Sequence, residues 1–243
     1  MSRPMHRHIL CAAAFCIAIL GSPARSESVR VLAAASMGDV IDALGTAYRD
    51  APGGRDVVPI TAGSGVLARQ IAQGVPADIY VSANRDWVDW LAAQGIGGTP
   101  VDIAGNVLVW IALSPDPAAE ALRSDARIAI ADPDAVPAGA YARQSLEASG
   151  IWSTLLPRFV HANNVRDALG WVLRGHAGFG LVYATDAAPY PQIFADPLPP
   201  ERHEPIRYLA LPLTPEGTAF ADFLTGPQAQ AILAEYGFTP ASE

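Results

Sequence analysis

The stretch Val31-Leu32-Ala33-Ala34-Ala35-Ser36-Met37-Gly38-Asp39 decides the fold of this chain. An apolar run ends at Ser36, and a helical period begins at once, with apolar or aromatic residues at positions 37, 40, 41, 44 and 48 on one face. Ser36 and Asp39 also have the spacing of a capping box. The stretch therefore predicts a strand that runs directly into a helix, a junction whose free backbone N–H groups suit an anion.

The same alternation continues beyond this first unit. A second apolar strand at 56–61 leads into a helix at 64–71, and a third strand at 77–84 precedes an amphipathic segment. Because strands and helices alternate, we expect parallel sheets wound by helices on both faces. Extended runs that begin near Asn106 and Ile206 are candidates for two strands that cross between two lobes, with one large sheet as the alternative. The proline-rich passage 189–205 is predicted to be a loop.

Residues 1–26 predict a signal peptide that is not part of the fold. Basic residues precede a short apolar run, and small residues follow it, with plausible cleavage after Ala24 or Ser26. An uncleaved anchor is the alternative, although the run is short for a membrane span and no later segment approaches one. Cys11 and Cys16 are the only cysteines and both lie here, so the mature chain has no thiolate metal site.

Charge excludes several classes of partner. The formal net charge is −8 for the whole chain, and loss of residues 1–26, with three arginines and no acid, takes it to −11. Such acidity argues against nucleic acids and anionic membrane surfaces. Any bound anion must therefore be held by local donors against an unfavourable overall field.

The motifs of hydrolysis and nucleotide binding are incomplete. Ser64 has no glycine two positions earlier, as a nucleophile elbow requires, and His161, His176 and His203 follow no recognisable triad order. A scattered triad, and with it a secreted serine hydrolase that uses Ser64, stays open as a remote alternative. The pattern G-x-G-x-x-A at 63–68 opens the second βα turn and lacks the expected acidic residue about twenty positions later. No cluster has metal-ligand spacing.

What remains is a group of uncharged hydrogen-bond donors at junctions between strands and helices. Ser36 and Ser64 each follow a strand and open a helix, while Ala138 and Val165 lie at or near helix starts and offer backbone N–H groups. Tyr183 closes a strand and carries a phenolic hydroxyl. Ordinary capping or core packing would explain each residue singly. Together they predict a donor-only site between two lobes, at the carboxyl ends of strands.

At these residues the chain resembles the periplasmic molybdate-binding proteins, the solute receptors of ABC importers for molybdate and tungstate. The resemblance runs through the whole mature chain, in the family's order. It rests on the segments Ala33-Ala34-Ala35-Ser36, residues 62–71, residues 76–83, Asp132-Pro133, Val136-Pro137-Ala138-Gly139, residues 164–169, Gly180-Leu181-Val182-Tyr183, Gly226-Pro227-Gln228-Ala229 and Tyr236-Gly237-Phe238.

The resemblance implies a type II periplasmic binding protein fold, an α/β architecture of two doubly wound lobes joined by a two-strand hinge. Lobe one would comprise residues 28–105 plus 208–243, and lobe two residues 106–207. Ser36 and Ser64 would bind the oxyanion through hydroxyl and backbone N–H, Ala138 and Val165 through backbone N–H, and Tyr183 through its hydroxyl. Gly65 and Ala184 depart from the residues that many relatives carry there, serine and glycine.

The function implied is that of a monomeric periplasmic receptor, not an enzyme, which needs no cofactor and no bare metal cation. It would deliver molybdate or tungstate to a membrane permease. A receptor for sulfate or another tetrahedral oxyanion is the nearest alternative, and a free-standing anion sensor is another. Donors alone should disfavour phosphate, which retains a proton near pH 7. Sulfate has no such proton, so preference for molybdate over sulfate rests on the resemblance, and molybdate against tungstate stays open.

Overall fold

A computed structural model describes residues 28–241 of the chain, so the predicted signal peptide at 1–26 lies outside the described residues. The strands are β1 Val29–Ala34, β2 Val57–Ala62, β3 Ile79–Ser82, β4 Val101–Gly105, β5 Leu108–Ala112, β6 Ile128–Ala131, β7 Phe159–Ala162, β8 Phe179–Tyr183, β9 Phe194–Pro197 and β10 Arg207–Pro212. The helices are α1 Gly38–Asp50, α2 Ser64–Ala72, α3 Arg85–Ala92, α4 Pro117–Arg123, α5 Pro137–Ala148, α6 Trp152–Leu155, α7 Val165–Leu173, α8 Ala184–Ala187, α9 Pro215–Thr225 and α10 Pro227–Glu235.

The strands form two five-stranded sheets with the same plan. The first has the order β2-β1-β3-β10-β4 and the second the order β7-β6-β8-β5-β9. In each sheet the first three strands are parallel, and the fourth runs antiparallel to both of its neighbours. Helices α1, α2, α3, α9 and α10 pack with the first sheet and α4, α5, α7 and α8 with the second, while α6 packs on α5. We call these two units lobe one and lobe two.

The chain crosses between the sheets twice, as the two extended runs predict. It leaves β4 at Gly105 and enters β5 at Leu108, then returns from β9 to β10 through residues 198–206. Two sheets replace the single large sheet that was the alternative. Arg207 pairs with Gly105 in the first sheet, one residue before the predicted start of lobe one's C-terminal part.

Alternation along the strands explains why helices cover both faces of the first sheet. In β1, Val31 and Ala33 are buried in one apolar cluster, while Leu32 between them is buried in another. Successive side chains of a strand point to opposite faces, so a strand that is apolar throughout must be covered on both. Leu32 shares the second cluster with Leu67 of α2, whereas Val31 shares the first with Leu44 of α1.

Two local predictions were wrong. Ser36 lies in a 3₁₀ turn, Ala35–Met37, between β1 and α1, and its side chain makes no cap; Asp39 instead pairs with Arg166. The passage predicted as loop contains β9, which pairs with β5 at the edge of the second sheet. An edge strand tolerates proline because one row of its N–H groups has no ladder partner. Pro197 ends this strand.

Within residues 28–241, none of the helices combines the length and the apolar character needed to cross a bilayer.

We expect Phe220→Ala to destabilise the protein strongly, because α9 brings this fully buried ring against Tyr48 of α1, with ring centroids 4.9 Å apart. Removal of a buried Phe side chain costs about 3–5 kcal/mol. Urea unfolding measures the loss. Phe194→Ala is the control, since Phe194 is 45% exposed on the edge strand β9 and should cost less than about 1 kcal/mol. Equal losses would contradict the assignment of α9 to the core of lobe one.

Candidate functional site

Two serines of lobe one are held at the carboxyl ends of neighbouring parallel strands. Ser36 follows β1, and Ser64 is the first residue of α2, two residues beyond the end of β2. Both are buried. The Oγ of Ser36 lies 2.7 Å from the Oη of Tyr208, and the Oγ of Ser64 accepts a hydrogen bond of 3.3 Å from the N–H of Ala83. Since Ser64 accepts there, its own proton remains to be donated.

Lobe two contributes two helix N-termini. Ala138 is the second residue of α5, behind Pro137, and Val165 is the first residue of α7. N–H groups in the first turn have no partner within their helix, and they carry the positive end of the helix dipole. Asn164 caps α7, as the sequence predicts, and its side chain accepts a 2.9 Å bond from the N–H of Asp167.

Tyr183 supplies a hydroxyl without a protein partner. It is the last residue of β8, is almost wholly buried, and its Oη has no hydrogen-bond partner among the described residues. Burial raises the pKa of Tyr183 well above its ordinary value, so the phenol is neutral and keeps its proton. A buried hydroxyl left unpaired costs about 1–3 kcal/mol, which points to a ligand that satisfies it.

These residues line one cavity between the lobes. All five predicted ligand residues surround it, and its volume is about 10 Å³. The lining consists of Ala34, Ala35, Ser36, Gly63, Ser64, Ala83, Val136, Pro137, Ala138, Asn164, Val165 and Tyr183. This set contains no charged side chain and no histidine. It offers an anion neutral donors, and it lacks the histidine that a hydrolase would place beside Ser64.

The arginine next to the ligand candidate Val165 is already neutralised by carboxylates. Arg166, which follows the ligand candidate Val165, bonds Asp39 of lobe one at 2.9 Å and pairs with Asp186 of lobe two at 2.5 Å. Burial raises the pKa of Asp186 to about 6, an effect that the attraction of Arg166 partly offsets. The sequence contains no lysine. With its guanidinium held by two acids, Arg166 links the lobes beside the cavity and does not line it.

Sequence reasoning missed this role of Arg166, which entered only as part of a matching segment. A charged residue next to a predicted anion ligand was the available signal. Its acid partners lie 127 and 20 positions away along the chain, so only the folded structure identifies them. The structure brings together every residue that the sequence predicted for the site. Their contact with a ligand stays a prediction.

Backbone atoms of the two lobes also meet directly at the turn around Ser64. The N–H of Gly65 donates to the carbonyl oxygen of Ala135 at 3.1 Å. A Cβ on Gly63 would lie 2.8 Å from the carbonyl oxygen of Asn163 and 3.1 Å from a methyl of Val136, both in lobe two. These glycines therefore let lobe two approach the serine closely. On the other side of Ser64, the Oη of Tyr141 donates to the carbonyl oxygen of Ala83 at 3.2 Å.

Comparison with known proteins places this geometry in a family. The model of the bacterial extracellular solute-binding protein family matches residues 29–239. The chain belongs to this family. It is 33% identical to the molybdate-binding protein ModA of Escherichia coli over 250 aligned positions, which cover 96% of this chain and 97% of that one. It is 34% identical to the molybdate-binding protein ModA of Haemophilus influenzae, with 93% and 96% covered.

Solved structures of solute-binding proteins share the two-lobed fold. The periplasmic molybdate-binding protein of Azotobacter vinelandii superposes with a TM-score of 0.80 at 26% identity, over 88% of this chain and 100% of that one. The sulfate-binding protein SubI of Mycobacterium tuberculosis superposes with a TM-score of 0.77 at 18% identity, over 88% and 87%. The predicted fold, a type II periplasmic binding protein with two α/β lobes, is confirmed.

We expect Gly63→Ala to hold the lobes apart. Gly63 has φ −59° and ψ 136°, which alanine adopts without strain, so the ligand-free protein should keep its stability. In the closed form the added methyl would collide with lobe two. Small-angle X-ray scattering of the variant should therefore show a larger radius of gyration than the wild type under conditions where the wild type is closed.

Gly38→Ala is the matched control, because a Cβ at Gly38 meets nothing within 4 Å although Gly38 lies two residues from Ser36. It should scatter like the wild type. If Gly63→Ala also scatters like the wild type, then the close approach of Asn163 does not limit closure.

Proposed function

We propose that this chain is a periplasmic receptor that binds molybdate or tungstate between its lobes and delivers it to the permease of an ABC importer. The observation that carries the proposal is the uncharged, donor-lined cavity, with the buried hydroxyl of Tyr183 left unpaired by the protein. Its similarity to the molybdate-binding proteins ModA of Escherichia coli and Haemophilus influenzae supports the choice of ligand. The predicted signal peptide supports the compartment.

Neutral donors are sufficient to hold a dianion. A hydrogen bond to a charged group contributes about 1.5–3 kcal/mol net. Helix N-termini, such as those of α2, α5 and α7, add roughly 0.3–1 kcal/mol each. Binding with a dissociation constant of 1 μM needs about 8 kcal/mol, which several such contacts reach together. Fixed donors also measure the size and protonation state of the anion, whereas a mobile cation attracts every anion alike.

The donor set disfavours protonated anions. The Oγ of Ser64 already accepts from Ala83, and the N–H groups of Ala138 and Val165 can only donate. Phosphate near pH 7 largely retains one proton, which this lining gives no charged acceptor. Sulfate carries no such proton, so the dimensions of the cavity must separate it from the larger molybdate.

Delivery follows from closure of the lobes. An anion that bonds Ser36 and Ser64 on lobe one and Ala138 and Val165 on lobe two favours the closed form. The permease then distinguishes loaded from unloaded receptor by the relative position of the two lobes. The receptor acts as a monomer, without catalysis and without a cofactor, because binding and release are all that delivery requires.

We expect Ser64→Ala and Tyr183→Phe each to weaken molybdate binding by roughly tenfold or more, because each removes one hydrogen bond to a dianion. Isothermal titration calorimetry on the mature protein measures the dissociation constants. Ser153→Ala, at an exposed position, and Tyr190→Phe, outside the cavity, are the matched controls and should bind like the wild type. Unchanged affinity in both site variants would place the ligand elsewhere.

Thermal unfolding against a panel of molybdate, tungstate, sulfate, phosphate and chromate tests the ligand class. A ligand at a thousandfold its dissociation constant stabilises the folded state by about 4 kcal/mol, which raises the melting temperature by several degrees. Molybdate and tungstate should give this rise and phosphate should not. A response to sulfate alone would instead make the chain a sulfate receptor. Ester hydrolysis that is lost in Ser64→Ala would favour the hydrolase.

A further inference from the structure

A chain of hydrogen bonds leads from the crossing between the lobes to the hydroxyl of Ser36. Asn106, in the first crossing, donates from Nδ2 to the Oη of Tyr208 at 3.3 Å. The Oη of Tyr208 lies 2.7 Å from the Oγ of Ser36. Tyr208 is fully buried in β10, at the start of the strand that follows the second crossing. Each hydroxyl has one proton, so the direction of donation matters for what Ser36 can offer an anion.

The orientation of the Asn106 amide is set by its own surroundings. Its Oδ1 accepts a 2.8 Å bond from the N–H of Val107, and its Nδ2 also donates to the Oγ1 of Thr185 at 2.9 Å. A flipped amide would point its NH₂ group at an N–H donor. The nitrogen side therefore faces Tyr208, and it can only donate.

The orientation of the Asn106 amide sets the direction of the hydrogen bond between Tyr208 and Ser36. Because Tyr208 accepts the proton of Asn106, it donates its own proton to Ser36. Burial raises the pKa of Tyr208 above its ordinary value, and nearby Asp186 adds to the effect, so the phenol keeps its proton as a neutral donor. Ser36 then accepts from Tyr208, and its remaining proton is free for the cavity that it lines.

We propose that Asn106 and Tyr208 are positioning residues that make Ser36 a hydrogen-bond donor toward the bound anion and so set the preference for fully deprotonated oxyanions. This inference rests on the proposed function and deepens it, since neither residue lines the cavity. The Oγ of Ser64 also has its proton left to donate, because it accepts a hydrogen bond from the N–H of Ala83.

The sharpest test is to reverse the direction of the hydrogen bonds between residue 106 and Ser36. In Asn106→Asp, a carboxylate would accept from Tyr208, Tyr208 would accept from Ser36, and Ser36 would present lone pairs to the anion. We expect this variant to lose on the order of a hundredfold in molybdate affinity, by calorimetry at pH 8, where a carboxyl is ionised. Tyr208→Phe keeps the ring and removes the relay, so Ser36 can still donate and the loss should stay below about tenfold.

The double variant separates relay from added charge. In the Tyr208→Phe background, Asn106→Asp adds its charge without reversing any hydrogen bond. The loss of molybdate affinity caused by Asn106→Asp should therefore be at least tenfold smaller in this background than in the wild type. Such a coupling lies within the range found for residues of one hydrogen-bond network. The losses would simply add if Asn106 and Tyr208 acted independently, and that result overturns the proposal. If Asn106→Asp does not fold, Asn106→Leu, which adds no charge, gives a second double-mutant cycle. The loss of molybdate affinity caused by Asn106→Leu should likewise vanish in the Tyr208→Phe background.

Sulfate and hydrogenphosphate provide the readout that a structural defect would not move, because they are similar in size and differ by one proton. Competition against molybdate should show the ratio of sulfate to phosphate affinity falling strongly in Asn106→Asp and less in Tyr208→Phe, where Ser36 is free either to donate or to accept. An unchanged ratio in Asn106→Asp contradicts the proposal. If the wild type does not bind molybdate, the proposed function is wrong. If the wild type binds molybdate and the losses in the two single variants add in the double variant, only the proposed role of Asn106 and Tyr208 is wrong.

Discussion

The proposed function depends on one constraint: hydroxyl and amide donors buried between two lobes must meet an acceptor that the protein does not supply. The hydroxyl of Tyr183 shows this most directly, since it is buried and unpaired among the residues described. An unpaired buried donor costs about 1–3 kcal/mol, and a bound dianion would remove that cost. In the proposed function, closure and anion binding are therefore one event, in which the anion would complete a set of hydrogen bonds that spans both lobes.

The repeated sheet plan explains how these donors converge. Each lobe has three parallel strands whose carboxyl ends lead into helices or a 3₁₀ turn, and the lobes face each other with those ends. Positive helix ends thus point at one cavity without any cation in its lining. Arg166 is nearby, but its guanidinium pairs with Asp39 of lobe one and Asp186 of lobe two, so it links the lobes and its charge is balanced by two carboxylates. The proposed selection by protonation state requires such a lining of neutral donors.

Local pattern predicted much of this molecule, and long-range pairing accounts for what it missed. The strand-to-helix junctions at Ser36 and Ser64 are encoded within a few residues, so periodicity found them, and the two crossings were visible as extended apolar runs. Strand β9 was not predicted because its proline is tolerated only at the edge of a sheet, and its edge position depends on pairing with β5. The supposed cap at Ser36 failed because its hydroxyl meets Tyr208, 172 positions away, and Asp39 meets Arg166. No local spacing records such partners.

The most direct test of the account is a crystal structure of the mature protein loaded with molybdate. We expect an oxyanion bonded to the hydroxyls of Ser36, Ser64 and Tyr183 and to the backbone N–H groups of Ala138 and Val165, with Arg166 still paired to its two carboxylates. An arginine in contact with the oxyanion, or an oxyanion bound outside this cavity, would contradict it.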